Sequence, residues 1–218
     1  MIASHQQNKW LLYYQGFLAV SVIFFFFTFL DSYIVVQQIA TSPVGWMLPY
    51  FTLTIPLFIS GKLKLPSRAI LYWCLSYLLI AIISYSFFPA SEPSLRGLID
   101  RSFASIFLLI TACLFSDQRV QHWVRVALIV VTLISIFNNF YQFINPFAFG
   151  GLVDSRVSGF YMDPNDCAYA LVLGMIFTVG LFSQKLRIPW ILLIGLGVTI
   201  TLSRGGILCW IVAVLFIC

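Results

Sequence analysis

The sequence predicts an all-α fold, a polytopic bundle of transmembrane helices. Of its 218 residues, 61% are hydrophobic and only 9% are charged, and the mean hydropathy is +0.99. This is more apolar surface than the core of a soluble protein of this size could hide. The apolar runs reach about 17 to 20 residues, the length of a membrane-crossing helix, whereas barrel strands alternate polar and apolar residues over about 10. Helices also satisfy their backbone hydrogen bonds within the bilayer.

Polar residues bracket eight apolar segments, of which seven are predicted to be complete crossings. The predicted spans are Leu11 to Leu30, Val44 to Ser60, Ile70 to Phe88, Leu98 to Phe115, Val126 to Ile144, Pro164 to Phe182 and Ile188 to Leu202. The eighth segment, Ile207 to the terminus, has 12 residues. It would cover about 18 Å of a layer roughly 30 Å thick. We therefore expect a truncated eighth span, and a chain that is the front part of a longer protein. Residues 1–218 are predicted to form a single integral membrane domain, incomplete at its C-terminus.

The distribution of Lys and Arg predicts a cytoplasmic N-terminus. In that orientation eight of the 12 basic residues lie in cytoplasmic segments and four in outer segments, as the positive-inside rule requires. Six of the seven acidic residues then lie outside, so the net charge of +5 divides into +7 inside and −2 outside. The basic pI therefore reflects topology, and no nucleic-acid partner is expected.

Cysteine and histidine spacing predicts no metal site, and no cofactor is expected. The five cysteines lie mostly within predicted spans, lack CxxC spacing and are best explained as small buried hydrophobes. His5 and His122 are placed apart on the cytoplasmic side. Tryptophans near the predicted span ends are interpreted as anchors at the membrane interface, namely Trp10, Trp46, Trp73, Trp123 and Trp190.

The longest polar interruption in the second half of the chain covers residues 154–166 and reads DSRVSGFYMDPND. Asp163 followed by Pro164 predicts a helix start, with the carboxylate as N-cap and the proline in the first helical position. Asp166 would favour the positive end of the helix dipole. Helix capping accounts for Asp163, Pro164 and Asp166, but it gives no role to Arg156, which lies seven residues before Asp163. An arginine beside the N-terminus of a transmembrane helix makes a ready site for an anion.

A second candidate is Arg204. The preceding span, Ile188 to Leu202, has 15 residues and reaches about 22 Å, so Arg204 is expected slightly below the outer interface. A charge at that depth is costly and marks a candidate functional site. Gly205 and Gly206 would let the chain turn or let a ligand approach the backbone. The alternative is an arginine that snorkels at a hairpin turn.

Two other outer segments have both a functional and a structural interpretation. Arg96 and Arg101 could face an anionic head group, or else Asp100 and Arg101 cap and flank the start of the next helix. The end of the fifth span brings amides and a phenol towards the outer surface, where they could bind sugars, although span ends are polar in any case. These residues are Asn138, Asn139, Tyr141 and Gln142.

Two motifs in this half of the chain resemble a known family. The first motif reads Arg156-x-Ser158-Gly159-Phe160-x-x-Asp163-Pro164-Asn165, and after a span and a short basic turn comes Ser203-Arg204-Gly205-Gly206. Their order and spacing are similar to those of the O-antigen ligase and O-antigen polymerase superfamily of bacterial membrane proteins. The match covers about residues 150–210, within a motif-bearing region at 145–210.

The resemblance implies a metal-independent, GT-C-like glycosyltransferase on the outer side of the bacterial cytoplasmic (inner) membrane. Such proteins move a glycan from a polyprenyl diphosphate carrier to lipid A core, in a ligase, or to another glycan, in a polymerase. By position, Arg156 and Arg204 correspond to the arginines that engage the diphosphate. The candidate supporting residues are Ser158, Gly159, Asp163, Asn165, Ser203, Gly205 and Arg101. In the family a large outer loop after these motifs carries further functional residues, and this chain ends before it.

We expect the two arginines to stabilise the negative charge that builds on the leaving phosphate. Asp163 and Asp166 are the nearby candidates for a general base, but capping competes for both, so no catalytic residue is assigned. The expected partners are the lipid-linked glycan donor, a lipid or glycan acceptor and membrane lipids. Two other classes stay open: a polysaccharide or lipid transporter, with charged or broken helices near the bilayer midplane, and a truncated, non-catalytic membrane fragment.

Overall fold

The computed structural model of the protein describes residues 2–30, 33–34, 43–61, 63–87, 92–150, 152–153 and 155–217. Within these residues the structure is helical, and β-structure is confined to one bridge between Val153 and Arg156. The helices are α1 (Ile2–Val22), α2 (Pro43–Ile59), α3 (Arg68–Phe87), α4 (Glu92–Leu114), α5 (Gln118–Ile144), α6 (Pro164–Thr178), α7 (Gln184–Ile200) and α8 (Arg204–Ile217). A π-helix, Ile23–Phe27, continues α1, and short 3-10 turns occupy Ala148–Gly150 and Val179–Leu181. The all-α prediction is confirmed.

Several helices are long and apolar enough to cross a membrane, as expected of a multi-pass membrane protein. In the described part of the chain there are five such segments: Lys9–Phe27, Arg68–Phe87, Leu95–Leu114, Gln118–Ile144 and Pro164–Leu181. Helices α2 and α7 have 17 residues each, and α8 has 14. At 1.5 Å per residue these three helices reach about 26, 26 and 21 Å. The predicted count of seven complete crossings stays a prediction.

Some helices begin before the apolar segment that defines the predicted span. Helix α4 begins at Glu92, so Asp100 and Arg101 lie inside it and do not flank its start. That structural interpretation of the two residues is wrong. Pro93 is compatible with the earlier start, because the first turn of a helix leaves its backbone N–H groups without intrahelical partners.

The chain divides into two compact units, which we describe separately. The first comprises Met1–Ala19 and Thr41–Gln121, and the second comprises Val20–Ala40 and His122–Cys218. In the first unit α4 packs on α2 and α3. The buried amide of Gln15 donates a hydrogen bond to the Leu114 carbonyl at 2.7 Å. The prediction of a single membrane domain stays a prediction.

The core of the second unit lies between α5, α6, α7 and α8. Its buried apolar side chains include Ile136, Leu171, Met175, Ile194 and Val198. Gly197 lets α7 approach its neighbours, because a Cβ there would stand 3.0 Å from Ile136 and 3.2 Å from Leu171. Close approach matters in a bilayer, where packing contacts, and not the hydrophobic effect, hold helices together.

Trp190 belongs to this core and is not an interface anchor. Its side chain is only 5% exposed, and its indole Nε1 donates to Thr178 Oγ1 at 3.0 Å. Its ring centroid lies 5.0 Å from that of Phe182. The anchor prediction for Trp190 is therefore wrong, because a buried partner on α6 satisfies the indole N–H that an anchor would present to the head groups.

Candidate anion-binding site

A tight turn in the loop between α5 and α6 carries Arg156. Two backbone hydrogen bonds close the turn, from Val153 N to Arg156 O at 3.0 Å and from Arg156 N to Val153 O at 2.9 Å. Ser155 has a φ of 61°, in the left-handed region that such turns require. The turn leaves Arg156 half-buried.

The side chain of Gln142, at the end of α5, holds the same loop. Gln142 is 0% exposed, and its Oε1 accepts the backbone N–H groups of Ser158 at 2.9 Å and Gly159 at 2.8 Å. Its Nε2 donates to the Ala148 carbonyl at 3.3 Å. Gly159 has a φ of +61°, and a Cβ there would stand 2.9 Å from Asn139 Oδ1, so both conformation and space call for glycine.

Helix α6 begins as the sequence predicts. Asp163 is extended, with φ −131° and ψ 130°, and its carboxylate accepts the backbone N–H of Asn165 at 2.7 Å. Pro164 occupies the first helical position, and Asp166 lies in the first turn. The positive end of α6 is thus compensated by the chain's own carboxylates, which leaves it a poor place for an anionic ligand.

Ser203 joins the two motifs. Its Oγ donates to Asn165 Oδ1 at 2.8 Å, across 38 residues of sequence. The same Oγ accepts the backbone N–H of Gly206 at 3.0 Å, so Ser203 caps α8. Gly206 packs against Ala168, and a Cβ at Gly205 would stand 2.6 Å from the hydroxyl of Tyr169. The start of α8 is therefore fastened to the first turns of α6.

Arg204 is the first residue of α8, and its side chain is exposed. No acidic residue lies in the first turn of this helix. The positive end of α8 therefore differs from that of α6, because no carboxylate of its own first turn compensates it. An anion placed there would meet a guanidinium group and backbone N–H groups together.

A cavity of about 350 Å³ lies beside Arg156. Its lining residues are Phe143, Leu152, Ser155, Arg156, Val157, Thr199, Ile200 and Leu202. Leu202, which has a φ of 53°, immediately precedes Ser203. The cavity therefore reaches from the Arg156 loop to the turn that leads into Arg204. Mostly apolar walls with one arginine suit a ligand that has an anionic head and an apolar tail.

A second cavity, of about 580 Å³, lies between α6 and α8 and has purely apolar walls. It begins at Tyr169, whose hydroxyl contacts Gly205, and continues along both helices. Its lining residues are Tyr169, Val172, Leu173, Ile176, Leu208, Cys209, Val212, Ala213, Phe216 and Ile217. One cavity thus borders Leu202, just before Arg204, and the other borders Tyr169, whose hydroxyl lies against Gly205.

Tyr161 ties the loop to the π-helical segment. Its hydroxyl donates to the Phe27 carbonyl at 2.6 Å, and its ring centroid lies 5.0 Å from that of Phe29. A π-helix interrupts the regular ladder of backbone hydrogen bonds, so a carbonyl there accepts a bond from outside the helix. Burial raises the pKa of the Tyr161 phenol above its ordinary value.

Most residues singled out from the sequence lie at one end of the second unit. They are Arg156, Ser158, Gly159, Asp163, Asn165, Ser203, Arg204 and Gly205. Arg101 lies exposed on α4 in the first unit, and its participation stays a prediction. Arg96, the other arginine of that segment that could face an anionic head group, also lies on α4.

Sequence reasoning missed the role of the buried amides. Asn139 and Gln142 are both 0% exposed, so the alternative that they present amides to sugars at the outer surface is wrong. They hold the loop: Asn139 lies against Gly159 and pairs with Cys167, at 3.1 Å from its Nδ2 to the thiol sulfur. Their spacing of three residues, which places both on one face of α5, was the available signal.

Among the residues that the structure describes, no group of three or more His, Cys, Asp or Glu side chains is placed to hold a metal ion. No known protein family, curated protein or solved structure matches this chain. The resemblance of the two motifs to the O-antigen ligase and polymerase superfamily therefore stays a prediction from the sequence.

Proposed function

We propose that this chain belongs to an outer-face membrane glycosyltransferase of surface polysaccharide biosynthesis. It would move a glycan from a polyprenyl diphosphate carrier to lipid A core or to another glycan. The observation that carries the proposal is the 2.8 Å hydrogen bond between Ser203 and Asn165, which fastens the segment of Arg204 to the segment that follows Arg156. Neither the motif that contains Arg156 nor the motif that contains Arg204 suggests this chemistry by itself. The hydrogen bond makes the two motifs part of one local structure.

The surroundings of the arginines support a lipid diphosphate as ligand. Its two phosphates need cations, and a guanidinium group matches phosphate oxygens with two parallel hydrogen bonds. Its isoprenoid tail needs an apolar groove, and the cavity beside Arg156 and the cavity that begins at Tyr169 both provide one. An acidic nucleotide or a free sugar phosphate would leave these grooves empty.

In the proposed reaction an acceptor hydroxyl attacks the anomeric carbon of the glycan, and the bond from that carbon to the phosphate oxygen breaks. The electron pair stays on the departing polyprenyl diphosphate. Arg156 and Arg204 stabilise that charge as it develops, which lowers the barrier. The proton of the acceptor hydroxyl goes to a base that we leave unassigned, since Asp163 is engaged as the cap of α6.

The proposal includes the membrane arrangement that the chemistry needs. The bundle would be GT-C-like and cross the bacterial inner membrane seven times, with a cytoplasmic N-terminus and both arginines on the outer side. Helices α2 and α7, at about 26 Å, would serve as crossings where the bilayer thins slightly. A lipid or polysaccharide flippase is the alternative, because the cavity beside Arg156 could also bind a lipid diphosphate without any bond being broken.

Replacing the arginines one at a time tests the proposal. Arg156→Ala and Arg204→Ala should each lower glycan transfer from a lipid-linked donor, in membranes containing the full-length protein, by about tenfold to a hundredfold. Arg125→Ala is the matched control and should leave transfer unchanged. It removes an exposed arginine near the start of α5, whereas the Arg156 loop follows the end of that helix. Full transfer by both variants would refute the proposal. Movement of the donor across vesicles without glycosidic bond formation would favour the flippase.

A further inference from the structure

One side chain, that of Gln142, contacts both ends of the loop that carries Arg156. Its Nε2 donates to the carbonyl of Ala148, near the start of the loop, at 3.3 Å. Its Oε1 accepts from the backbone N–H groups of Ser158 and Gly159, after Arg156, at 2.9 and 2.8 Å. The residues between these contacts include the tight turn from Val153 to Arg156.

In an ordinary surface loop, water makes hydrogen bonds with the backbone N–H and C=O groups. In this loop, the side chain of Gln142 makes them with three backbone groups. Gln142, Ser158 and Gly159 are all buried, and buried backbone N–H groups need a partner. The backbone N–H groups of two successive residues, Ser158 and Gly159, reach the single oxygen Oε1 of Gln142. If that oxygen is removed, two buried donors lose their acceptor at once, and the loop must move to reach water.

We infer that Gln142 is the positioning residue for Arg156: it pins the loop at both ends and so holds the guanidinium group beside the cavity. That Gln142 fixes both ends of the loop follows from its hydrogen bonds alone. Its consequence for ligand binding rests on the proposed function, because it assumes that Arg156 binds the diphosphate. The inference thus assigns a role in the site to a residue that lies outside both motifs.

Two variants of Gln142 distinguish the role of its amide oxygen, which accepts two hydrogen bonds, from that of its amide nitrogen, which donates one. Gln142→Leu removes both functions with little change in size, whereas Gln142→Glu keeps oxygens that accept both N–H groups and impairs mainly the donation to Ala148. The matched control is Gln121→Leu, the same replacement at an exposed position near the start of α5, where the amide donates to the Phe115 carbonyl at 2.9 Å.

Hydrogen exchange measured by mass spectrometry on the purified chain reads the pinning directly. In the peptide covering residues 155–161, Gln142→Leu should exchange about tenfold faster than the parent, whereas Gln142→Glu and Gln121→Leu should stay close to it. Unchanged exchange in Gln142→Leu would overturn the inference. Equally fast exchange in Gln142→Glu would also overturn it. If Gln142→Leu does not fold, Gln142→Asn takes its place, because the shorter side chain withdraws the acceptor oxygen from both N–H groups, and unchanged exchange in Gln142→Asn would overturn the inference.

The functional consequence is read by binding of a polyprenyl diphosphate to the same proteins in nanodiscs. Gln142→Leu should weaken binding by about tenfold, and Gln142→Glu should restore most of it. If Arg156→Ala leaves binding unchanged, the proposed function fails while the exchange experiment still decides whether Gln142 pins the loop. If Arg156→Ala weakens binding and Gln142→Leu does not, Gln142 is not a positioning residue.

Discussion

Replacing Ser203 with alanine should remove two hydrogen bonds at once. The lost cap of α8, the 3.0 Å bond from Gly206 N, costs about 1 kcal/mol, which is typical of serine N-caps. The lost 2.8 Å bond to Asn165 costs about 1 kcal/mol more. We therefore expect Ser203→Ala to lower the free energy of unfolding by about 2 kcal/mol. Asn165→Ala removes only the second bond and should cost about 1 kcal/mol.

The double variant isolates the bond between the two motifs. Once Ser203 is alanine, Asn165 has lost its partner, so its replacement should add little, and the cycle should show a coupling of about 1 kcal/mol. The assay is reversible unfolding in mixed micelles of rising SDS content, followed by tryptophan fluorescence. Ser183→Ala is the matched control, because Ser183 precedes α7 in the capping position but makes no capping hydrogen bond.

Two results would refute this reasoning. The first is a cost of Ser203→Ala no greater than that of Ser183→Ala, which should stay within about 0.5 kcal/mol of the parent. The second is additivity: if the costs of Ser203→Ala and Asn165→Ala simply sum in the double variant, the two side chains act independently and the motifs are not fastened through this bond.

Two further predictions concern the packing of α8 and the membrane orientation. Gly206→Ala should cost about 1 to 3 kcal/mol in the same unfolding assay, because its Cβ would press on α6. Gly205→Ala should lower the free energy of unfolding clearly less, because the atom nearest to its Cβ is the hydroxyl at the end of the flexible Tyr169 side chain. Equal costs for the two variants would contradict this packing. An impermeant maleimide added to intact cells should label Ser155→Cys above the background of the parent chain, and Ser183→Cys only after permeabilisation. The reverse pattern would show the opposite orientation.

Features that depend on neighbours in sequence could be predicted. Asp163 and Pro164 specify the start of α6 by themselves, because a capping carboxylate and a proline act on the adjacent backbone. The all-α class followed equally directly from the long apolar runs. Helix ends were less accessible: the helix containing Asp100 extends back to Glu92, since nothing in the apolar pattern marks where a polar helical turn stops.

Features that depend on which helix faces which could not be predicted. Trp190 and Gln142 both lie near span ends, where polar or aromatic groups are expected whether they face lipid or protein. Only the neighbouring helix or loop makes them buried partners of Thr178 and of the Arg156 loop. The pairing of Asn165 with Ser203 is of the same kind: co-occurrence of the motifs suggested a common site, but the contact follows from the packing of α6 on α8.

The central claim is that Arg156 and Arg204 together engage a lipid diphosphate. Its most direct test is equilibrium binding of a polyprenyl diphosphate, against the corresponding polyprenol, to the purified chain in nanodiscs. We predict that the parent binds the diphosphate at least tenfold more tightly, that each arginine-to-alanine variant loses most of this preference, and that Arg125→Ala retains it. Equal binding of the two lipids by the parent, or an unchanged preference in both variants, would contradict the claim.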